Sequence, residues 1–357
     1  MPEVSQRKIS INLPAIKMWV YGYLGVEARA KGGAKWLLAR DLTEQERDKF
    51  NEIIQQEIAE QEIAEQERKL AAEKAAGEAE AERQRQAELA RQAAEKARLA
   101  KLATENKHGV AVIIGNRTYD EPVPAVDFAH NDADAMRRFV IESLGFREGN
   151  VIDLRDATKA RLEAVFGTEK SHKGRLFDWV RPGKSDILVF YSGHGVPGLE
   201  DRRGYLLPAD GDPGFVELNG YPIDVLYDNL SKIDARSITV YLDACFSGDT
   251  PKGLLIRATS GISITPRLPD KSSKLTVLAA AQGDQVASWD KQAKHGLFTK
   301  HLLDALGGAA DGGEYGNGDG KVTVGEVKRY LADEMTYAAQ RNYGRIQDAS
   351  VIGDEDA

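Results

Sequence analysis

The sequence predicts an α/β domain built on a mostly parallel sheet flanked by helices, preceded by a long charged helix. Three observations carry this expectation. Short apolar runs at 108–115 (HGVAVIIG), 150–154 (NVIDL), 186–191 (DILVFY), 237–242 (SITVYL) and 274–280 (KLTVLAA) have the near-continuous hydrophobicity of strands buried on both faces. Helical patterns at 131–143, 158–180 and 222–231 separate the first four, and another at 296–306 follows the fifth. Such alternation implies right-handed crossovers and a sheet covered on both sides. Residues 42–104 are dominated by Ala, Glu, Gln, Arg and Lys, with no proline and no aromatic residue after Phe50, a composition that favours helix.

In chain order, 1–41 mixes apolar patches (Met18, Trp19, Val20, Tyr21; Trp36, Leu37, Leu38) with glycines and shows no assignable periodicity. It reads as a docking element, a domain remnant or a partly ordered terminus. Residues 42–106 form a stalk that would reach ~90 Å as a continuous helix. Its repeat EIAEQEIAEQ has period five, whereas Leu89, Ala93, Ala97 and Ala100 recur at helical spacing. The stalk therefore reads equally as a loose coiled coil that self-associates or as a solvated single helix. The α/β domain occupies 107–357.

Composition narrows the function. A formal net charge of −8 is the wrong sign for a general nucleic-acid binder. The single cysteine, Cys245, excludes an intramolecular disulfide and a cysteine-rich zinc site. The longest apolar run near the start, 18–26, is too short to span a bilayer. A reducing, cytoplasmic setting is expected, with no membrane span.

The third and fourth strand runs end in unusual sequence. DILVFYSGHG leads to Ser192-Gly193-His194-Gly195, and SITVYLDACFSG leads to Asp243-Ala244-Cys245-Phe246-Ser247-Gly248. Working groups of parallel sheets sit beyond the carboxyl ends of strands, so an imidazole and a thiol on neighbouring tips are candidates for nucleophilic catalysis. His194 would take the thiol proton and later protonate the leaving amine. The amides of Gly195 and Cys245 would donate to the oxyanion. Ser192 is not in a G-x-S-x-G elbow, and no P-loop is present.

YSGHG followed by DACFSG resembles the p20 segment of the caspase and metacaspase family, here the metacaspase type in its prokaryotic form. PAVDFAHNDADAM at 124–136, GYLLPADG at 204–211, AAAQGDQVAS at 279–288 and KHGLFTKHLLDALGG at 294–308 extend the resemblance over about 107–353. It implies a caspase-like six-stranded sheet, with a p20-like part at 107–250, a linker at 249–273 and a p10-like part at 274–357. It also implies a cysteine endopeptidase acting through a dyad of His194 and Cys245 and needing no cofactor, with calcium as an activator left open.

The resemblance further implies an acidic S1 pocket at Asp132, Ser192 and Asp243, hence protein or peptide substrates with Arg or Lys at P1; a guanidinium suits paired carboxylates. Asp243 stands where the caspase pattern has glutamine. Asp132 keeps a second reading, because Asn131 suits an N-cap and an acid in the first turn is favoured by the helix dipole. Asp284 falls in a stretch where the family lines its cleft. Asp201, Asp210, Asp212 and Asp249 do not line up with the family's calcium acids. The basic residues Lys252, Arg257, Arg267, Lys271 and Lys274, in and beside the turn-rich linker, make self-cleavage there an expectation.

A weaker metal reading lies at GNGDGKVTVGEV, where Asn317, Asp319, Gly320, Thr323 and Glu326 match EF-hand positions 3, 5, 6, 9 and 12. Position 1 would be Tyr315, which has no carboxylate, and Thr323 with Glu326 also makes a capping box. His108, His130, His172, His295 and His301 read as ordinary surface or core histidines. The competing functional reading is a silent or regulated caspase-like scaffold that assembles a complex through the stalk.

Overall fold

The computed structural model describes residues 9–12, 16–21, 25–30, 44–102, 106–246, 249–250, 253–254, 274–282 and 285–356. The chain divides into two compact units, Met1–Gln92 and Ala93–Ala357. No helix among the described residues is long and apolar enough to cross a membrane.

The first unit begins with a three-stranded antiparallel sheet of β1 (Ile9–Asn12), β2 (Ile16–Tyr21) and β3 (Gly25–Ala30), β2 in the middle. β2 takes up the apolar patch Met18–Tyr21, which periodicity did not assign, whereas Trp36, Leu37 and Leu38 lie outside the described residues. Helix α1 (Glu44–Leu102) follows as one uninterrupted element of 59 residues. Every side chain described over 62–92 is exposed, including Ile63, Leu70 and Leu89. Pairs such as Glu65 with Lys69 at 2.9 Å line this stretch, which is how a polar helical segment exposed all round is supported.

The second unit contains β4 (Val110–Gly115), α2 (Ala129–Glu142), β5 (Val151–Arg155), α3 (Lys159–Phe166), α4 (Arg175–Trp179), β6 (Asp186–Ser192), β7 (Gly195–Pro197) and β8 (Gly204–Leu206). It continues with α5 (Val216–Asn219), β9 (Tyr221–Pro222), α6 (Ile223–Ser231), β10 (Ser237–Asp243), β11 (Asp249–Thr250), β12 (Gly253–Leu254) and β13 (Leu275–Ala279). Last come β14 (Trp289–Asp290), β15 (His295–Gly296), α7 (Leu297–Asp304), α8 (Val324–Tyr330), α9 (Thr336–Tyr343) and β16 (Ser350–Ile352). The main sheet has the order β16-β13-β10-β6-β4-β5, parallel throughout except for β16, which runs antiparallel on the edge.

Alternation along the strands makes two cores. Val110, Val112 and Ile114 of β4 face Leu162, Val165, Leu176 and Leu226, whereas Ala111 and Ile113 face Met136, Val140, Phe298 and Leu302. Period-two side chains on a doubly covered sheet give this result. The expected helix at 158–180 is instead α3 and α4. Gly167, at φ +86°, ends α3, and a Cβ at Gly174 would overlap the main chain of Val165.

Candidate active site

The site begins where β6 and β10 end. The two strands are in parallel register with Ser192 opposite Asp243, and the amide of Gly193 donates to the Asp243 carbonyl at 3.2 Å. Past that stitch the chains leave as Gly193-His194-Gly195 and Ala244-Cys245-Phe246. Gly195 is required by contact: a Cβ there would overlap the Cys245 carbonyl oxygen and the Phe246 ring. The tips therefore touch backbone to backbone. His194 and Cys245 line one cleft together with Asp132, Ser192, Asp243, Trp289 and Gly296.

His194 is 5% exposed and fixed at several points. Its amide donates to the Tyr119 hydroxyl at 2.9 Å, and its carbonyl accepts from the Tyr191 hydroxyl at 2.8 Å. The Tyr119 ring lies 4.9 Å from the imidazole, centroid to centroid. Nε2 is 2.7 Å from the Pro124 carbonyl oxygen. A carbonyl only accepts, so Nε2 carries a proton, and in the neutral ring the lone pair is then on Nδ1. Burial raises both phenols well above their usual range, which keeps them protonated and able to donate.

Cys245 is half-buried, anchored by the adjacent Phe246 in the core, and its Sγ accepts from the Ala287 amide at 2.7 Å. A donated amide favours the thiolate.

Two carboxylates form the polar end of the cleft. Asp132, 1% exposed, accepts from Ser192 Oγ at 3.0 Å, from the Gly296 amide at 3.1 Å and from His295 Nδ1 at 2.8 Å. Asp243, 7% exposed, accepts through Oδ2 from the Thr299 amide at 3.1 Å and its hydroxyl at 2.5 Å. Gly296 separates them: a Cβ there would overlap Asp243 Oδ2 and lie 3.2 Å from Asp132 Oδ2. Burial first, and the neighbouring Asp132 charge second, push Asp243 up to about 7. Burial likewise raises Asp132, against the lowering effect of His295. Among the described residues no Lys or Arg pairs with either acid, so the cleft holds two costly carboxyl groups, with His295 hydrogen-bonded to one of them.

The sequence expectation that Asn131 caps α2 is corrected. Phe128 is the N-cap residue, and Asn131 lies inside the helix, donating from Nδ2 to the Lys294 carbonyl at 3.0 Å. This bond ties α2 to the β14–β15 hairpin. Reading His295 as an ordinary histidine is also corrected, because that hairpin pairs Asp290 with His295 and delivers the imidazole to Asp132. His295, Gly296 and Thr299 all lie in KHGLFTKHLL, which the family resemblance covers but from which spacing alone singles out no residue.

Other candidates separate from the cleft. Asp284, and 251–252 and 255–273 of the linker, lie outside the described residues. Asp210 and Asp212 serve turns, accepting from the amides of Lys159 and Gly214, and Asp201 accepts from the Tyr205 hydroxyl. His130 pairs with Asp156 at 3.0 Å. Buried His301, lowered to about 4 mainly by burial, is a core histidine as expected. Thr323 and Glu326 form the expected capping box.

Residues 108–340 match the caspase domain family, peptidase C14. The crystal structure of caspase-1 from Spodoptera frugiperda aligns at 14% sequence identity with a TM-score of 0.43, covering 70% of this chain and 88% of that one. None of the curated proteins matches. With a match over well more than half its length, laid on the sheet whose strand tips bring His194 and Cys245 to one cleft, the chain belongs to the caspase family of cysteine peptidases.

Proposed function

We propose that the protein is a metacaspase-type cysteine endopeptidase that cleaves after arginine or lysine, with Cys245 as nucleophile and His194 as general base and acid. The observation that carries the specificity is the buried pair Asp132 and Asp243, without a Lys or Arg partner among the described residues, in the cleft that the thiol enters. A P1 guanidinium entering the cleft offers them both charge and paired N–H donors.

In the first step His194 Nδ1 accepts the Cys245 proton, and Sγ attacks the scissile carbonyl carbon. The electron pair moves to the carbonyl oxygen, which accepts from the amides of Gly195 and Cys245. Collapse of this intermediate breaks the C–N bond while His194 returns the proton to the leaving amine, giving an acyl-enzyme. Water, deprotonated by His194, then releases the new carboxyl group and restores the thiol. The Pro124 carbonyl supports this cycle by accepting from Nε2, which in the neutral ring leaves the basic lone pair on Nδ1.

The basic residues in and beside the linker at 249–273 make it a substrate of the same chemistry, and we include self-cleavage there in the proposal. Fluorogenic peptides ending in Arg, Lys or Asp, with and without calcium, test the reading. Turnover of the basic peptides that Cys245→Ala abolishes supports it. Preference for Asp, or turnover that survives Cys245→Ala, removes it. Intact mass after incubation tests self-cleavage: identical fragments from wild type and Cys245→Ala exclude it.

A further inference from the structure

The turn between α7 and α8 carries the EF-hand register whose first position is Tyr315. In the structure Tyr315 leaves the turn: its ring packs on Tyr330 with centroids 5.2 Å apart, and its hydroxyl donates to Asp333 at 2.7 Å. Asp311 enters instead. Its Oδ2 accepts from the amide of Gly320 at 2.9 Å, the sixth residue of the register, and its main-chain oxygen accepts from Gly318 at 2.7 Å. The carboxylate thus stands at the centre of the loop. Asp311 is only 6% exposed, yet its Oδ1 is buried with no hydrogen-bond partner. A bare buried carboxylate oxygen is a group that a cation would satisfy.

The other candidate oxygens accept from amides of the same loop. Asn317 Oδ1 accepts from the Asp319 amide, and Asp319 Oδ1 from the Lys321 amide, both at 2.9 Å. Glu326, 3% exposed, accepts from the amides of Asn317 and Thr323. Among the described residues no three acidic, His or Cys side chains already converge as a metal cage, so binding must draw the donors together.

We propose that Asp311, Asn317, Asp319 and Glu326 form a calcium site in which Asp311 supplies the first-position ligand that the sequence register lacks. The donors are all oxygen, with three carboxylates among them, which selects a hard cation of flexible geometry over zinc. Glu326 turns from its capping amides to the ion when the site fills. The site is independent of the dyad and of P1 preference.

The test uses the full chain carrying Cys245→Ala, freed of metal, titrated with calcium chloride by calorimetry and with terbium chloride by tyrosine-sensitised luminescence, Tyr315 and Tyr330 being the donors. The expected result is one calcium bound with Kd of about 10⁻⁵–10⁻³ M, the sensor-to-weak range for such loops. Asp311→Asn and Glu326→Gln, which keep side-chain shape and the cap, should each weaken binding at least tenfold and quench the terbium signal. Asp212→Asn should leave both unchanged. Magnesium should compete poorly. No saturable calcium binding by the parent chain overturns the proposal. So does affinity unchanged in Glu326→Gln, or in an Asp311→Asn chain whose circular dichroism shows it folded.

Discussion

Asp243 and Asp132 face each other across Gly296, one held by Thr299 and the other by His295 and Ser192. Neither acid titrates independently of the other, and the pH response of the cleft follows from that. Asp243 is raised to about 7, so in the free protein near neutrality it is partly protonated, and a cationic P1 side chain must draw the proton off. KM for Arg peptides should therefore fall as pH rises through about 7. Asp243→Asn should lose this dependence and about 30-fold or more in kcat/KM, the scale of removing one partner of a buried charge pair. Unchanged kcat/KM in the variant would sink the assignment.

The same group sets a stability trend. A carboxyl raised in the folded state favours folding fully below its unfolded value of 3.8 and loses that contribution as pH climbs toward about 7. Thermal melts should show Asp243→Asn gaining more, relative to wild type, at pH 8 than at pH 5. Equal differences at the two pH values would contradict the linkage.

Burial raises Asp132, and His295 partly opposes that rise. His295→Ala should raise Asp132 further and extend the high-KM region for Arg peptides to higher pH, with kcat little changed. Steady-state kinetics from pH 5.5 to 8.5 give the answer, and a purely kcat effect would argue for a different role.

Gly195 lies against the Cys245 carbonyl. Gly195→Ala should push the two strand tips apart, costing about 1–3 kcal/mol of stability as overpacking and at least 100-fold in kcat, because a displacement near 1 Å misaligns attack. A chain that keeps full turnover would show that the tips need not touch.

Tyr119 fixes His194 through its amide. Tyr119→Phe leaves that buried N–H unpaired, a loss of about 1–3 kcal/mol, and frees the imidazole to tilt. Reduced kcat at constant KM, with a lower melting temperature, is the expected pair of results. A melting change without a kinetic one would make Tyr119 structural only.

Some of this was legible in the sequence for identifiable reasons. β4, β6 and β10 are buried on both faces, so unbroken runs such as VAVIIG and DILVFY announce them, and the glycines on either side of His194 mark a strand end where backbone must approach backbone. β16 left no such trace: three half-buried residues on a sheet edge carry too little hydrophobic pattern. His295 and Thr299 were missed because their place depends on a hairpin and a helix packing against α2, contacts between residues more than fifty positions apart. Asp311 was hidden differently, since it fills a loop position from four residues upstream of the register that a motif search would read.

The parallel pairing of β10 with β13 has a consequence for what a cut between them can do. Five register pairs, from Ile238 with Leu275 to Leu242 with Ala279, lock the two sides of the 249–273 connection in the middle of the sheet, with both cores spread across the seam. Covalent continuity there is dispensable to cohesion. A nicked chain should run as two bands under denaturing conditions and migrate as a single particle under native ones, because the sheet holds both pieces.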